Sequence, residues 1–212
     1  MDANSKVTVA GVDLGEHRHI CGLFNSQDEQ FETLLPFFME GLSQGDKVIQ
    51  IVDPNIRDHY IGRLRDAGIE IDQSRSEQVQ VRGWEDGHLK GGWFDQEKMI
   101  PLVEEVLNTG KSEGYPLTRL VGNMEWAVTD VPGAEDLIEY ESRINYILSK
   151  YHDPVICCYD VSKFPADVVL GVLQTHPMVI VGGTLHRNPF YIHPDLFLEQ
   201  LRSRKAASAT KN

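Results

Sequence analysis

His19 and Cys21, with His17 just before them, are the first side chains in the sequence whose types suit metal or polar-ligand chemistry. They lie two residues apart in an apolar run, and strand residues i and i+2 share a face, so His19 and Cys21 point the same way. Two same-face residues do not complete a metal site. Three readings stand: a metal or haem held through His19 and Cys21, a polar contact to a small ligand, or a structural strand histidine beside a small apolar cysteine. No cofactor and no metal are assigned from this pattern.

Glu141 interrupts the apolar stripe of Leu137, Ile138, Ile144 and Leu148 at helical spacing. A carboxylate there must find a partner or stay protonated, because an unpaired buried charge is costly. Arg119, His19 and Tyr159 are the candidate partners, and a plain structural ion pair is the alternative. Further candidates fall at the ends of the expected strands: Asn25, Asp53, Trp84, Glu125, Trp126, Asp160 and Thr184. In open parallel sheets ligands bind outside the carboxyl ends of the strands, although such residues also cap strands and helices. Phe190 and Tyr191 join Trp126 as a candidate aromatic wall. His176-Pro177 and Arg187-Asn188-Pro189 read first as chain-direction signals.

The turn after the first long strand bears on catalysis. A phosphate-cradling loop needs glycines and a lysine, but Phe24-Asn25-Ser26-Gln27-Asp28-Glu29 has neither. Two carboxylates stand at the helix start, where an anion would bind. No G-x-S-x-G elbow or H-E-x-x-H pair is present. A complete catalytic apparatus is not expected.

These residues have to be positioned by alternating strands and helices. Short apolar runs predict strands over 19–24, 47–52, 79–82, 119–125, 154–159 and 178–182. Several are apolar on both faces, as strands covered on both sides should be. Ser26-x-x-Glu29 is a capping box opening a helix that stops near Gly45, with Pro36 expected to kink it. Further helices are expected over 56–67, 95–109, 134–150, from Pro165 to just before His176, and 194–204. The fold class is α/β, a three-layer sandwich around a mainly parallel central sheet.

Composition bounds the rest. The 212 residues are 41% hydrophobic and 25% charged, a globular balance. A net charge of −12 opposes a nucleic-acid surface and recruitment to anionic membranes. No apolar run is long enough for a membrane span, no secretory signal is visible, and three irregularly spaced cysteines suit a reducing cytoplasm.

The order of motifs carries a resemblance. His19-Ile20-Cys21, Phe24, Leu35-Pro36-Phe37 and Gly41-Leu42-x-x-Gly45 are followed by Gly122-x-Met124-x-Trp126 and Tyr140-Glu141. Cys158-Tyr159-Asp160, His176-Pro177 and Asn188-Pro189-x-Tyr191 complete the set. Together they resemble the MEDS (methanogen/methylotroph sensory) domain over about 17–201. The resemblance implies a degenerate RecA-like fold without its phosphate loop, in prokaryotic signal transduction. It also implies a small ligand, such as a simple hydrocarbon derivative, whose occupancy is relayed to a signalling partner or output domain.

The expected layout is an extension over 1–16, the sensory domain over 17–204 and a disordered tail over 205–212. The expected ligand-binding set is His19, Cys21, Phe24, Asn25, Glu125, Trp126, Glu141, Tyr159, Asp160 and Tyr191. A homo-oligomer is a further expectation. The competing functions are an enzyme using carboxylate acid/base chemistry or residual nucleotide hydrolysis, and an interaction module without a small ligand.

Overall fold

The computed structural model describes residues 6–71 and 78–209. Its centre is a seven-stranded sheet. In chain order, a small hairpin of β1 (Thr8–Val9) and β2 (Val12–Asp13) precedes β3 (His19–Phe24), α1 (Gln27–Gln44), β4 (Lys47–Val52), α2 (Arg57–Asp66) and β5 (Val79–Gly83). There follow α3 (Gln96–Ser112), β6 (Thr118–Asn123), α4 (Leu137–Arg143), α5 (Asn145–Leu148), β7 (Val155–Asp160) and α6 (Ala166–Thr175). The hairpin of β8 (Met178–Val181) and β9 (Thr184–Arg187) leads into α7 (Pro194–Ala209). Strand order is β5-β4-β6-β7-β3-β8-β9, and every pairing except β8 with β9 is parallel.

The chain is thus a three-layer α/β sandwich. Alternation along each strand sends side chains to two separate cores. Ile20, Phe24, Ile156 and Cys158 pack toward α1 and α2. Cys21, Cys157 and Tyr159 pack toward α3, α4 and α6. Both faces of the central strands are therefore apolar, the pattern expected of strands covered on each side.

Local chemistry explains the element ends. Ser26 accepts from the Glu29 amide at 3.2 Å, while the Glu29 carboxylate accepts from the backbone and side chain of Asn25 at 2.7 and 2.9 Å. That carboxylate seals the turn after β3. α1 then runs unbroken past Pro36 to Gly45, whose left-handed φ of 81° closes it. Gly182 and Gly183, with φ of 56° and 70°, form the two-residue turn joining β8 to the antiparallel β9.

Several boundaries differ from the sequence reading. The expected strand over 119–125 stops at Asn123, and Glu125 begins a 3-10 turn. The expected helix over 134–150 is split at Ile144 into α4 and α5. Asn145 accounts for the split: its Nδ2 donates to the carbonyls of Glu141 and Ser142, competing with the helical ladder. Thr184 opens an antiparallel strand, so it does not lie at the carboxyl end of a parallel one. Residues 7–14 carry buried Val7, Val9 and Leu14 packed into the core, and α7 continues past residue 204 to Ala209.

Candidate functional site

His19 begins β3 with its ring on the same face as Cys157 of the neighbouring strand β7. Above that face α4 brings in Glu141, and the chain between α6 and β8 brings in His176. These side chains are closed off from solvent: His19 is 2% exposed, and Glu141 and His176 are 0% exposed. Glu141 Oε2 lies 3.2 Å from His19 Nε2, 3.4 Å from His176 Nε2 and 3.6 Å from Cys157 Sγ. Cys157 Sγ is 3.6 Å from His19 Nε2, and the two imidazole centroids are 3.9 Å apart. The other carboxylate oxygen, Oε1, accepts from the Tyr159 hydroxyl at 2.6 Å.

Both rings are held from behind. Asn145 spends its Nδ2 on the carbonyls of Glu141, Ser142 and Thr175, so its Oδ1 accepts from His19 Nδ1 at 3.1 Å. His176 Nδ1 donates to the Val172 carbonyl at 2.7 Å. The Nε2 atoms of both histidines consequently face Glu141. Asn145, which sits at the helix split, thus links a local irregularity to the site.

Electrostatics follow from burial and these contacts. Burial and the neighbouring His176 lower the His19 pKa, against the pull of Glu141 and Asn145. Burial alone would raise the Glu141 carboxyl, but attraction and hydrogen bonding from His176 and His19 outweigh it and hold it well below the usual carboxylate range. Burial, reinforced by Glu141, pushes the Cys157 thiol and the Tyr159 hydroxyl far up, so both stay protonated. A protonated thiol is a poor nucleophile. The cluster's side chains are all buried.

The expected site residues divide between this cluster and several other places. His19, Glu141 and Tyr159 meet. Cys21 shares their face but stays outside the cluster, and Cys157, its partner across β3 and β7, supplies the sulfur instead. The sulfur beside His19 is therefore that of Cys157 and not that of Cys21. Phe24 turns to the opposite core, under α1. Arg119, an expected partner of Glu141, bonds Asp46 at 2.8 Å and Glu40 at 2.9 Å on that opposite side.

Asn25, Glu125 and Asp160 do lie at the carboxyl ends of the strands. Asn25 is committed to Glu29, and Asp160 accepts from the Ser162 amide and hydroxyl and pairs with Lys163 at 3.2 Å. Glu125 is buried; burial raises its pKa against its own backbone amide and Lys163. Trp126 leaves this rim altogether. It is fully buried and stacks on Phe94 at 4.5 Å and on His88 at 5.4 Å, while Phe94 meets Tyr140 edge-on at 5.3 Å. Tyr191 is half-buried in the loop before α7, where its amide donates to the Asn188 carbonyl. The aromatic wall of Trp126, Phe190 and Tyr191 does not form, because Trp126 is turned into the core and Phe190 is exposed.

Two features were missed by sequence reasoning. His176 was visible only as a residue before proline, and Cys157 as one of several apolar strand residues. A cleft of about 540 Å³ beside α3 is lined by His88, Lys90, Trp93, Lys98, Met99 and Leu102. Its His88 ring reaches the buried Trp126, and burial pushes the His88 pKa down to about 4 against the attraction of Glu141.

The parallel sandwich holds a buried polar cluster under one layer, and comparison with known families places the chain. The model of the MEDS family, described as "MEthanogen/methylotroph, DcmR Sensory domain", matches residues 18–177. The chain belongs to this family. It is similar to the "Transcriptional repressor DcmR" of Methylorubrum extorquens, with 28% identity over 176 residues, 81% of this chain and 63% of the relative. The chain thus spans less than two thirds of that relative's length. Among the described residues no helix is long and apolar enough to cross a membrane.

Proposed function

We propose that this chain senses a small ligand in prokaryotic signal transduction and relays occupancy to a partner or output domain. Family membership supports the signalling role. The observation that carries the mechanism is the buried cluster of His19, Glu141, Cys157 and His176, which joins β3, β7, α4 and the chain between α6 and β8 through one carboxylate. A cluster that ties helices to the sheet is suited to changing their positions when its contacts change.

A small, partly apolar molecule such as a simple hydrocarbon derivative fits the cleft beside α3, with His88 as its polar contact. From there packed rings lead inward through Trp126, Phe94 and Tyr140 to the residue before Glu141. Glu139 of α4 pairs with Lys205 of α7 at 2.8 Å, and Tyr146 of α5 bonds Asp195, so the cluster's helices in turn contact α7. Of the rim residues, Asn25 and Asp160 are tied up in local contacts, whereas the buried Glu125 carboxylate has no hydrogen-bond partner among the described residues. Three free, buried cysteines suit a reducing cytoplasm.

The test is thermal unfolding with a panel of short alcohols and aldehydes, methanol to propanol, on wild type, His88→Ala and His19→Ala. A ligand bound only by the folded state at one hundred times its Kd stabilises by about 2.7 kcal/mol, a readily measured shift in Tm. At least one compound should raise the wild-type Tm, with the rise lost in His88→Ala and diminished in His19→Ala. The proposal is wrong if no compound shifts wild type, or if all three proteins shift equally.

A further inference from the structure

The ligand atoms of His19, Glu141, Cys157 and His176 all lie within 4.8 Å of one another. We propose that they form a site for one divalent transition-metal ion of the zinc class, bound by His19 Nε2, His176 Nε2, Glu141 Oε2 and Cys157 Sγ. The inference rests on reading this cluster as the sensing centre.

Three observations support it. The first is spacing. Bond lengths of about 2.0–2.1 Å to nitrogen and oxygen and about 2.3 Å to sulfur place tetrahedral N···O edges near ~3.3 Å and edges to sulfur near ~3.6 Å. Four of the cluster's six separations match these edges: 3.2 and 3.4 Å for nitrogen to oxygen, and 3.6 Å for sulfur to oxygen and to His19 nitrogen; the other two, from His176 to His19 and to Cys157, lie within 4.8 Å.

The second is orientation. Asn145 Oδ1 and the Val172 carbonyl each take the Nδ1 proton of one histidine, which aims both Nε2 atoms at the carboxylate. Metal-bound histidines are held in this way, with the second ring nitrogen donating to a carbonyl oxygen. His176 Nε2 is fully buried and has no hydrogen-bond partner among the described residues, so an acceptor-lined point is left in want of a positive charge. Tyr159 occupies Glu141 Oε1 and leaves Oε2 to face inward.

The third is ligand chemistry. Two imidazoles, a carboxylate and a thiol are the mixture borderline-soft ions prefer, whereas magnesium and calcium take oxygen. On binding, the Cys157 S–H bond breaks, the sulfur forms the metal bond and its proton leaves to solvent. No electron is transferred. Thiolate and carboxylate then balance the two charges of the ion, so the core holds no net charge at this point. With every position filled by protein, the site is closed, as structural and sensory metal sites are, with no open position for catalysis. The ion would pin α4 and the end of α6 to strands β3 and β7.

The test uses the whole chain stripped with a chelator and loaded with cobalt or zinc, both as native protein and during refolding from urea. One equivalent should be retained, with tetrahedral cobalt bands and a sulfur-to-cobalt charge-transfer band. Cys157→Ser should lose the charge-transfer band. The double variant Cys21→Ser/Cys158→Ser, which keeps Cys157 as the chain's sole thiol, should retain it, and this variant decides the matter if Cys157→Ser fails to fold. Folded wild type that retains no ion, or a charge-transfer band absent when Cys157 is the sole thiol, overturns the site. A metal-free chain that still gives the alcohol-dependent thermal shift loses this inference alone; a metal-loaded chain without that shift loses the cleft reading alone.

Discussion

Single buried residues carry this protein's pH behaviour, and His88 separates most cleanly from the rest. Its ring is buried against Trp126, and its folded pKa of about 4 lies below the unfolded value of about 6.5. As pH falls through that window, the unfolded chain takes up a proton that the folded chain refuses, so stability is present above pH 6.5 and lost toward pH 4. The shift corresponds to roughly 3 kcal/mol. His88→Phe should flatten this part of a urea-unfolding pH series, leaving the slope from His19, whose pKa is lowered in the same direction. An unchanged slope would show that His88 is solvated in the folded protein. The same residue scale shows what a sequence can and cannot reveal. Glu141 was legible because a carboxylate in an apolar stripe violates the pattern. Cys157 obeyed its pattern, since cysteine in a buried strand looks like any small apolar residue. His176 was concealed by its proline. Its approach to His19 depends on β8 pairing with β3, a long-range register that no local spacing encodes.

At the scale of elements, β3, β4 and the box at Ser26 were readable because strand periodicity and capping are local. The fourth helix departs from its expected span for the opposite reason: Asn145, beside the split, also bonds His19 and Thr175, partners supplied by the tertiary fold. Tertiary contact also decides the worth of two helical glycines. Gly41 of α1 lies against Arg119, where an added Cβ would come within 2.5 Å of the side chain's Cδ and Nε. That arginine is fully buried and bonded to Asp46, Glu40, Gln44 and the Phe37 carbonyl, so it has nowhere to retreat. A Cβ added at Gly62 of α2 would meet nothing beyond its own helix within 4 Å among the described residues. Helix propensity alone predicts that either Gly→Ala change stabilises by about 1 kcal/mol. Gly62→Ala should do so, whereas Gly41→Ala should destabilise by about 1–3 kcal/mol through overpacking. Urea midpoints of the two variants, moving in opposite directions, are the check; a stabilised Gly41→Ala would mean that the Arg119 network is soft.

Across the whole molecule the sheet divides two cores of different character. The α1 and α2 side contains the Arg119 network and the N-terminal hairpin, while the α3, α4 and α6 side contains the cluster, Trp126 and the cleft. A sensor built this way can keep one layer rigid while the other responds. Because stability is distributed in cooperative local units, the division has a measurable consequence. Glu141→Ala removes the one group contacting His19, His176, Cys157 and Tyr159, leaving imidazoles and a hydroxyl buried without their shared acceptor. Losing one partner of such a buried pair costs about 3–5 kcal/mol. That loss should be felt where the freed groups sit. Amide hydrogen exchange should accelerate in α4, α5 and α6, by a factor of a hundred or more for about 3 kcal/mol of local opening. Exchange in α1 and α2, which face the other core, should stay near wild-type rates. Equal acceleration on both faces would mean that the sheet transmits the loss and the chain opens as one unit, and the cluster would then act as a global keystone rather than as the hinge of one layer.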